Sequence, residues 1–236
     1  MQGTDCCSLL RLPSASGMVD FSNRSTLRAW QIAWSQLQAC DQPDGLCALM
    51  SNRSQIARLS IHTELLVSPA RATLPLLINS TRCVEIAHSL DAAIPLLGAG
   101  PGLTPSWDDL LIGYICGLRA TTAKNWSQVC FLSQFGEAVH SASAVTTAVS
   151  RSYIASTIEG CGPQWVEDVL AAIGIGDSGL TYRMAVRALR MGNTSGTDMM
   201  LGAVLGSCVW QATTQIVDVL AALSCCEVHP VEKHQS

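Results

Sequence analysis

Residues 98–117 read GAGPGLTPSWDDLLIGYICG, and residues 192–206 read GNTSGTDMMLGAVLG. The two stretches align from Ser106 and Ser195 onward. Each carries Ser-x-x-Asp, three apolar residues and then two glycines four apart, so Asp109, Gly113 and Gly117 correspond to Asp198, Gly202 and Gly206. Flexible glycine backbone ahead of an apolar run marks a turn that opens a helix, and Ser106 with Asp109 fits an N-cap and N3 pair, with Asp in place of the usual Glu. Behind each Asp the glycines form a stripe without side chains, although a glycine inside a helix costs up to about 1 kcal/mol relative to alanine. Close approach of backbone to backbone compensates for that cost most simply. The two stripes are therefore expected to pack together or against other helices, with a pseudo-two-fold arrangement open, and the turns to lie close in space. On this reading leucine at Gly113 or Gly206 overpacks the fold beyond the usual range of about 1–3 kcal/mol, and leucine at Gly45 is the milder control.

Working outward, Ser25 is a suitable helix cap, and Leu27, Trp30, Trp34 and Leu37 follow at helical spacing, with the tryptophan pair read as core packing. From Gly45 to Asn79 the apolar runs are short: Leu46–Met50, Ile56–Ile61, Leu65–Val67 and Leu74–Ile78, separated by Ser-Asn, Ser-Pro and Asn-Ser breaks. They are expected to be strands of a small sheet. Beyond Glu85 the periodicity is helical, over 85–95, 107–120, 126–143, 145–158, 163–173, 179–191 and 197–223. The fold class that follows is α+β, an N-terminal helix and small β-sheet before a mainly α-helical bundle with two glycine-rich helix-opening turns. Residues 1–95 would form the α/β portion and 96–236 the helical portion carrying both motifs, the two together able to make one compact domain.

Composition narrows the function. With 48% hydrophobic and 14% charged residues in 236, the chain can bury a sizeable core. A net charge of −4 without Lys or Arg clusters gives no footprint for nucleic acid or an anionic membrane. The eleven cysteines are odd in number, scattered and without C-x-x-C, so they read as mostly buried thiols rather than disulfides or zinc ligands. MQGTDCCSLLRLPSASG at the start lacks a basic stretch followed by a sustained apolar one, and the apolar segments are interrupted, so a cytoplasmic location is expected.

If the two turns meet, two helix N-termini face one cleft, where free N–H groups and partial positive charge favour a carboxylate, phosphate or carbamoyl group. Thr104, Ser106, Thr194, Ser195 and Thr197 add hydroxyls, and Arg151 is the candidate for a bidentate anion clamp. Asp108 or Asp198 could orient a substrate N–H or position a cation. No cofactor is called for, although Asp108 beside Asp109 leaves Mg²⁺ open. The five histidines show no metal-binding spacing, and neither a nucleophile elbow, a dinucleotide fingerprint nor a P-loop is present.

GAGPGLTPSWDDLLIGY and GNTSGTDMMLG resemble the signature segments of the bacterial AllH-like family, the oxamate carbamoyltransferase subunit of allantoin degradation. Thr146-Thr147-Ala-Val-Ser150-Arg151 with Ala155 and Gly160 extends the likeness more weakly, so that it covers about Gly98 to Gly206. The family usually carries glycine where Trp107 stands, and the substitution is expected to put an indole at the mouth of the first turn. The resemblance implies a role in purine catabolism and nitrogen metabolism, as a subunit interconverting oxalurate plus phosphate with oxamate plus carbamoyl phosphate, alongside two further subunits. Gly100, Gly102, Thr104, Ser106, Asp108 and Asp109, with Asn193, Ser195, Gly196 and Asp198, carry over as motif positions. Asp108, Asp109 and Asp198 are the catalytic candidates; Thr194 and Arg151 join the others as candidates for substrate binding. Two alternatives stay open, a non-catalytic anion-binding scaffold or regulatory subunit and a Mg²⁺-dependent hydrolase, as does homo-oligomerisation.

Overall fold

The computed structural model describes residues 19–40, 44–50, 61–122 and 125–211. Among them the chain is all-α: helices α1 (Arg24–Gln38), α2 (Ile61–Arg82), α3 (Ile86–Ala93), α4 (Ser106–Thr121), α5 (Trp126–Ala142), α6 (Ala148–Ile158), α7 (Gln164–Ile175), α8 (Ser178–Ala188) and α9 (Ser195–Cys208), with short 3-10 turns at Leu46–Met50, Ile94–Leu96 and Ser143–Val145.

The expected sheet is absent among the described residues, which corrects the α+β reading. Leu46–Met50 is a 3-10 turn, and Leu65–Val67 and Leu74–Ile78 are two stretches of the single helix α2. Leu66, Ala70, Leu74, Leu77 and Ile78 fall at helical spacing along its buried side, while Pro69 and Pro75 sit within it. Each proline removes one helical hydrogen bond, and burial of that face outweighs the interruption. Of the run Ile56–Ile61, only Ile61 lies within the described residues, and it opens α2. Short apolar runs do not distinguish strand from buried helix by themselves, and the prolines were misleading punctuation. The helices expected from residue 85 onward are present with shifted ends; the part of 197–223 beyond residue 211 lies outside the described residues.

At the centre lie α4 and α9. Every residue of α4 is buried, as is every residue of α9 except Ser195. A Cβ at Gly113 would stand 1.8 Å from the Met199 carbonyl oxygen, and one at Gly117 would stand 2.3 Å from that of Ala203. The reverse contacts mirror these, with Gly202 2.0 Å from the Leu110 oxygen and Gly206 2.3 Å from the Tyr114 oxygen. Residue numbers rise together on both helices, so they run parallel. Since Leu110 and Tyr114 correspond to Met199 and Ala203 in the repeat, the contact is reciprocal, as in an isologous interface. The glycine stripes pack against each other as their spacing demanded, and both helix starts come to one end of the molecule.

The remaining helices wrap this pair. On α1, Trp30 and Trp34 are buried and stacked with centroids 5.9 Å apart, and the Trp30 indole N–H donates to the Val204 carbonyl (3.1 Å) on α9. The cap of α1 is Asn23 rather than Ser25; its side chain accepts from the Ser25 amide at 3.0 Å. Residues on both sides of the 95/96 division share one hydrophobic core. The cysteines are less uniformly hidden than expected: Cys47, Cys116 and Cys208 are buried, but Cys83 and Cys161 are exposed, and no disulfide joins the described cysteines. No helix among the described residues is long and apolar enough to cross a membrane.

Candidate functional site

Because α4 and α9 are parallel and level, the Ser-x-x-Asp patterns at their starts face one another. Neither acts as a capping box. Pro105 precedes α4 and Thr194 precedes α9, and neither helix start has a side-chain cap. The serines point across the interface instead: Ser106 lies by Asp198 and Ser195 by Asp109, a second reciprocal pair that continues the symmetry of the glycine contacts. The Ser195 hydroxyl forms a 2.9 Å hydrogen bond with that of Thr104, stitching the first turn to the second helix.

The three aspartates are all fully buried, but they are differently engaged. Asp108 accepts from the Gly98 amide (2.8 Å) and the Ser150 hydroxyl (2.7 Å), and the Thr146 hydroxyl donates to the same oxygen as Ser150. It pins the first turn to the start of α6, whose capping Thr147 also donates to the Leu103 carbonyl. Asp198 accepts from the Leu46 amide at 2.7 Å through one oxygen, while its other oxygen is buried without a partner. Asp109 has no hydrogen-bond partner on either oxygen.

This difference appears in their acidities. Burial pushes Asp109 up to about 8, the Asp198 and Asp108 charges add to the push, and the neighbouring Ser195 and Thr104 hydroxyls oppose it. Those hydroxyls are bonded to each other rather than to the carboxyl. Asp198 is raised to about 7, again by burial, against the pull of the Ser106 hydroxyl, the Leu46 amide, Thr194 and the Cys47 amide. Near neutral pH Asp109 thus carries its proton for much of the time, so the end of the bundle holds less negative charge than three carboxylates suggest.

The segment that reaches Asp198 was not singled out in the sequence. Gly45 has φ +76°, a left-handed conformation that favours glycine, and its ideal Cβ would stand 2.9 Å from both Asp198 carboxylate oxygens. This conformation and the lack of a side chain let the Leu46 amide approach. The next residue, Cys47, is hydrogen-bonded with Cys40 and buried beside Asp198, which pushes its thiol well above the usual range. The Asp44-Gly45 pair before an apolar run was the available signal, a turn dipeptide suited to positive φ. Thr146 and Ser150 were legible only as part of a weak motif, and their bond to Asp108 gives that motif a physical role.

The other candidates divide between mouth and floor. Gly102, Gly192 and Asn193 are exposed, Gly100, Thr104 and Ser195 are half-buried, and Ser106, Thr194, Gly196 and Thr197 are buried. The Gly196 amide donates to the Met191 carbonyl (2.9 Å) and that of Trp107 to the Ala99 carbonyl (3.1 Å), so turn closure uses some of the donors expected to face a ligand. Arg151 is exposed in the first turn of α6. Trp107 does not stand at the mouth: its side chain is wholly buried, and the indole N–H donates to the Ala93 carbonyl at the end of α3 (2.9 Å). Among the described residues no three His, Cys, Asp or Glu come together as a metal-holding group.

No curated protein and no solved structure matches the chain. Residues 96–207, the stretch that carries both turns and all three aspartates, match the family model described as oxamate carbamoyltransferase subunit AllH, so this part of the chain is similar to that family.

Proposed function

We propose that this chain is the AllH-type subunit of a multi-subunit oxamate carbamoyltransferase, and that it takes part in interconverting oxalurate plus phosphate with oxamate plus carbamoyl phosphate. A phosphate oxygen replaces the oxamate nitrogen on the carbamoyl carbon, and that nitrogen departs with a proton. All four reactants are small anions. The observation that carries the proposal is the convergence of the two matched turns. Two parallel helices present their positive ends together, each worth roughly 0.3–1 kcal/mol toward an anion. The hydroxyls of Thr104 and Ser195 stand between them, and Asp109, buried and pushed up to about 8, is largely without the charge that would repel an anion.

Calorimetry on the full chain with phosphate, oxamate and carbamoyl phosphate tests this. The wild type should bind at least one of them, and Thr104→Asp or Ser195→Asp, which adds a carboxylate at the half-buried rim, should weaken binding tenfold or more. A wild type that binds none, or variants that bind as well as wild type, would overturn the anion site. Turnover of oxamate with carbamoyl phosphate, measured with and without the partner subunits, then assigns the chemistry to this chain or to the assembly.

A further inference from the structure

The pseudo-symmetry of the site is incomplete, and the incompleteness has a chemical shape. Asp109 and Asp198 occupy equivalent positions on equivalent helices. Asp198 receives a backbone amide from Leu46, whereas both oxygens of Asp109 are buried without a partner. One oxygen of Asp198 is likewise unpartnered, and the two carboxyls are close enough for the Asp198 charge to bear on Asp109. A buried acceptor without a hydrogen bond costs on the order of 1–3 kcal/mol, and three such oxygens lie at one end of one helix pair. With the Ser106 hydroxyl, also buried without a partner, and the proton that Asp109 holds, they call for a ligand that both donates and accepts hydrogen bonds.

We infer that Asp109, with the free oxygen of Asp198 beside it, receives the planar –CO–NH2 end of the substrate; this rests on the reading of the chain as a carbamoyl-transferring subunit and names the group that the site recognises. A carboxyl that holds its proton offers one donor and one acceptor side by side, the complement of the C=O and N–H of a primary amide or carbamoyl group. Asp198 accepts the second N–H. The anionic end of the substrate then lies outward, toward the helix starts and the exposed turns. Entry is between Thr104 and Ser195, whose mutual hydrogen bond spans the way to Asp109 and must open as the ligand passes. The position of Asp109 behind half-buried hydroxyls excludes a group that could not replace those contacts.

Two pairs of molecules that differ by NH2 against CH3 isolate this contact: oxamate against pyruvate, and carbamoyl phosphate against acetyl phosphate. Calorimetry on the full chain should show the wild type preferring the amino member of each pair by about tenfold, the equivalent of one to two net hydrogen bonds. Asp109→Leu should lose most of this preference, keeping only what the Asp198 contact supplies. Asp109→Asn, which keeps one donor and one acceptor, should retain a preference. If the wild type binds both members alike, this inference falls while the anion site stands. Binding of none of the four overturns both, and a preference undiminished in Asp109→Leu overturns this inference whatever the fate of the other variant.

Discussion

Alanine at Gly113 is the most direct test of the parallel helix pair. Its Cβ would stand 1.8 Å from the Met199 carbonyl oxygen, 2.7 Å from the carbonyl carbon and 2.9 Å from the Ala203 nitrogen. These are backbone atoms of a buried helix, so no rotamer change relieves the clash. The oxygen is about 1.5 Å inside ordinary van der Waals separation, and α9 must withdraw by roughly that distance. A gap of even 0.5–1 Å forfeits about a quarter to a half of each contact it opens, and Gly117, Gly202 and Gly206 share the same crossing. Helix propensity favours alanine by only about 1 kcal/mol, whereas overpacking costs about 1–3 kcal/mol where side chains can yield, and more where backbone must. The net expectation is a loss of about 3–5 kcal/mol, a large part of a typical stability of 5–15 kcal/mol. Urea unfolding followed by circular dichroism should show a midpoint lowered by about 1 M or more. Gly202→Ala, 2.0 Å from the Leu110 oxygen, should behave alike. Gly179→Ala is the control, because its nearest neighbours, the Asp177 Oδ1 and an Arg183 guanidinium nitrogen, are 3.4 and 3.7 Å away. Gly45 cannot serve, contrary to the expectation from sequence, since its left-handed backbone and the Asp198 carboxylate leave no room. Midpoints for Gly113→Ala and Gly202→Ala equal to the control would refute the close parallel packing.

Two further outcomes follow from the aspartates. Asp109 holds its proton up to about 8 in the folded chain against 3.8 when exposed, so the folded state binds the extra proton and stability from this group falls as pH rises from about 4 to 8. Asp108, Asp198 and the Thr104 and Ser195 hydroxyls face it, and Asp198, raised to about 7, acts in the same direction. The stability of Asp109→Asn relative to wild type should therefore rise across that window by up to about 1.4 kcal/mol per pH unit, and a pH-independent difference from denaturation series would contradict the assignment. Asp108→Ala should cost several kcal/mol, because the Gly98 amide and the Thr146 and Ser150 hydroxyls lose their shared acceptor. Hydrogen exchange at the Gly98 amide should accelerate with it, and unchanged protection there would disprove the anchoring role.

How much of this was legible depended on whether a residue's partner lay in its own pattern. The glycine stripes were readable because each glycine carries a cost that only close approach explains, and the repeat from Ser106 to Gly117 and Ser195 to Gly206 named both sides of the contact. Helices with long amphipathic or apolar periods were readable for the same reason. Helix α2 was not, since Pro69 and Pro75 cut its apolar face into pieces of strand length. The direction of the Ser106 and Ser195 side chains was also hidden, because a local capping bond and a cross-helix approach require the same residues at the same spacing. Trp107 was misplaced by its neighbours: set among glycines it suggested a mouth, but a large apolar ring in the first turn of a wholly buried helix is drawn inward, where the Ala93 carbonyl satisfies its N–H.

The least legible contact, Leu46 to Asp198, is the one that gives the site its asymmetry. A duplicated helix start would, by itself, treat Asp109 and Asp198 alike: each is buried, each faces the serine of the other helix, and each stands at the positive end of its helix dipole. The Gly45 turn supplies an amide to Asp198 alone. That bond opposes the effect of burial on Asp198, and the Asp198 charge adds to the push of burial on Asp109, so both carboxyls are raised and only Asp198 has a backbone amide pulling against the rise. The second break in symmetry acts at the same place: Asp108 corresponds to Thr197, and only Asp108 ties its turn to α6. The first turn is held firmly from behind by that anchor, whereas its link across to α9 is the single hydroxyl pair of Thr104 and Ser195. The weaker of the two ties is thus the one beside the carboxyl that has no partner.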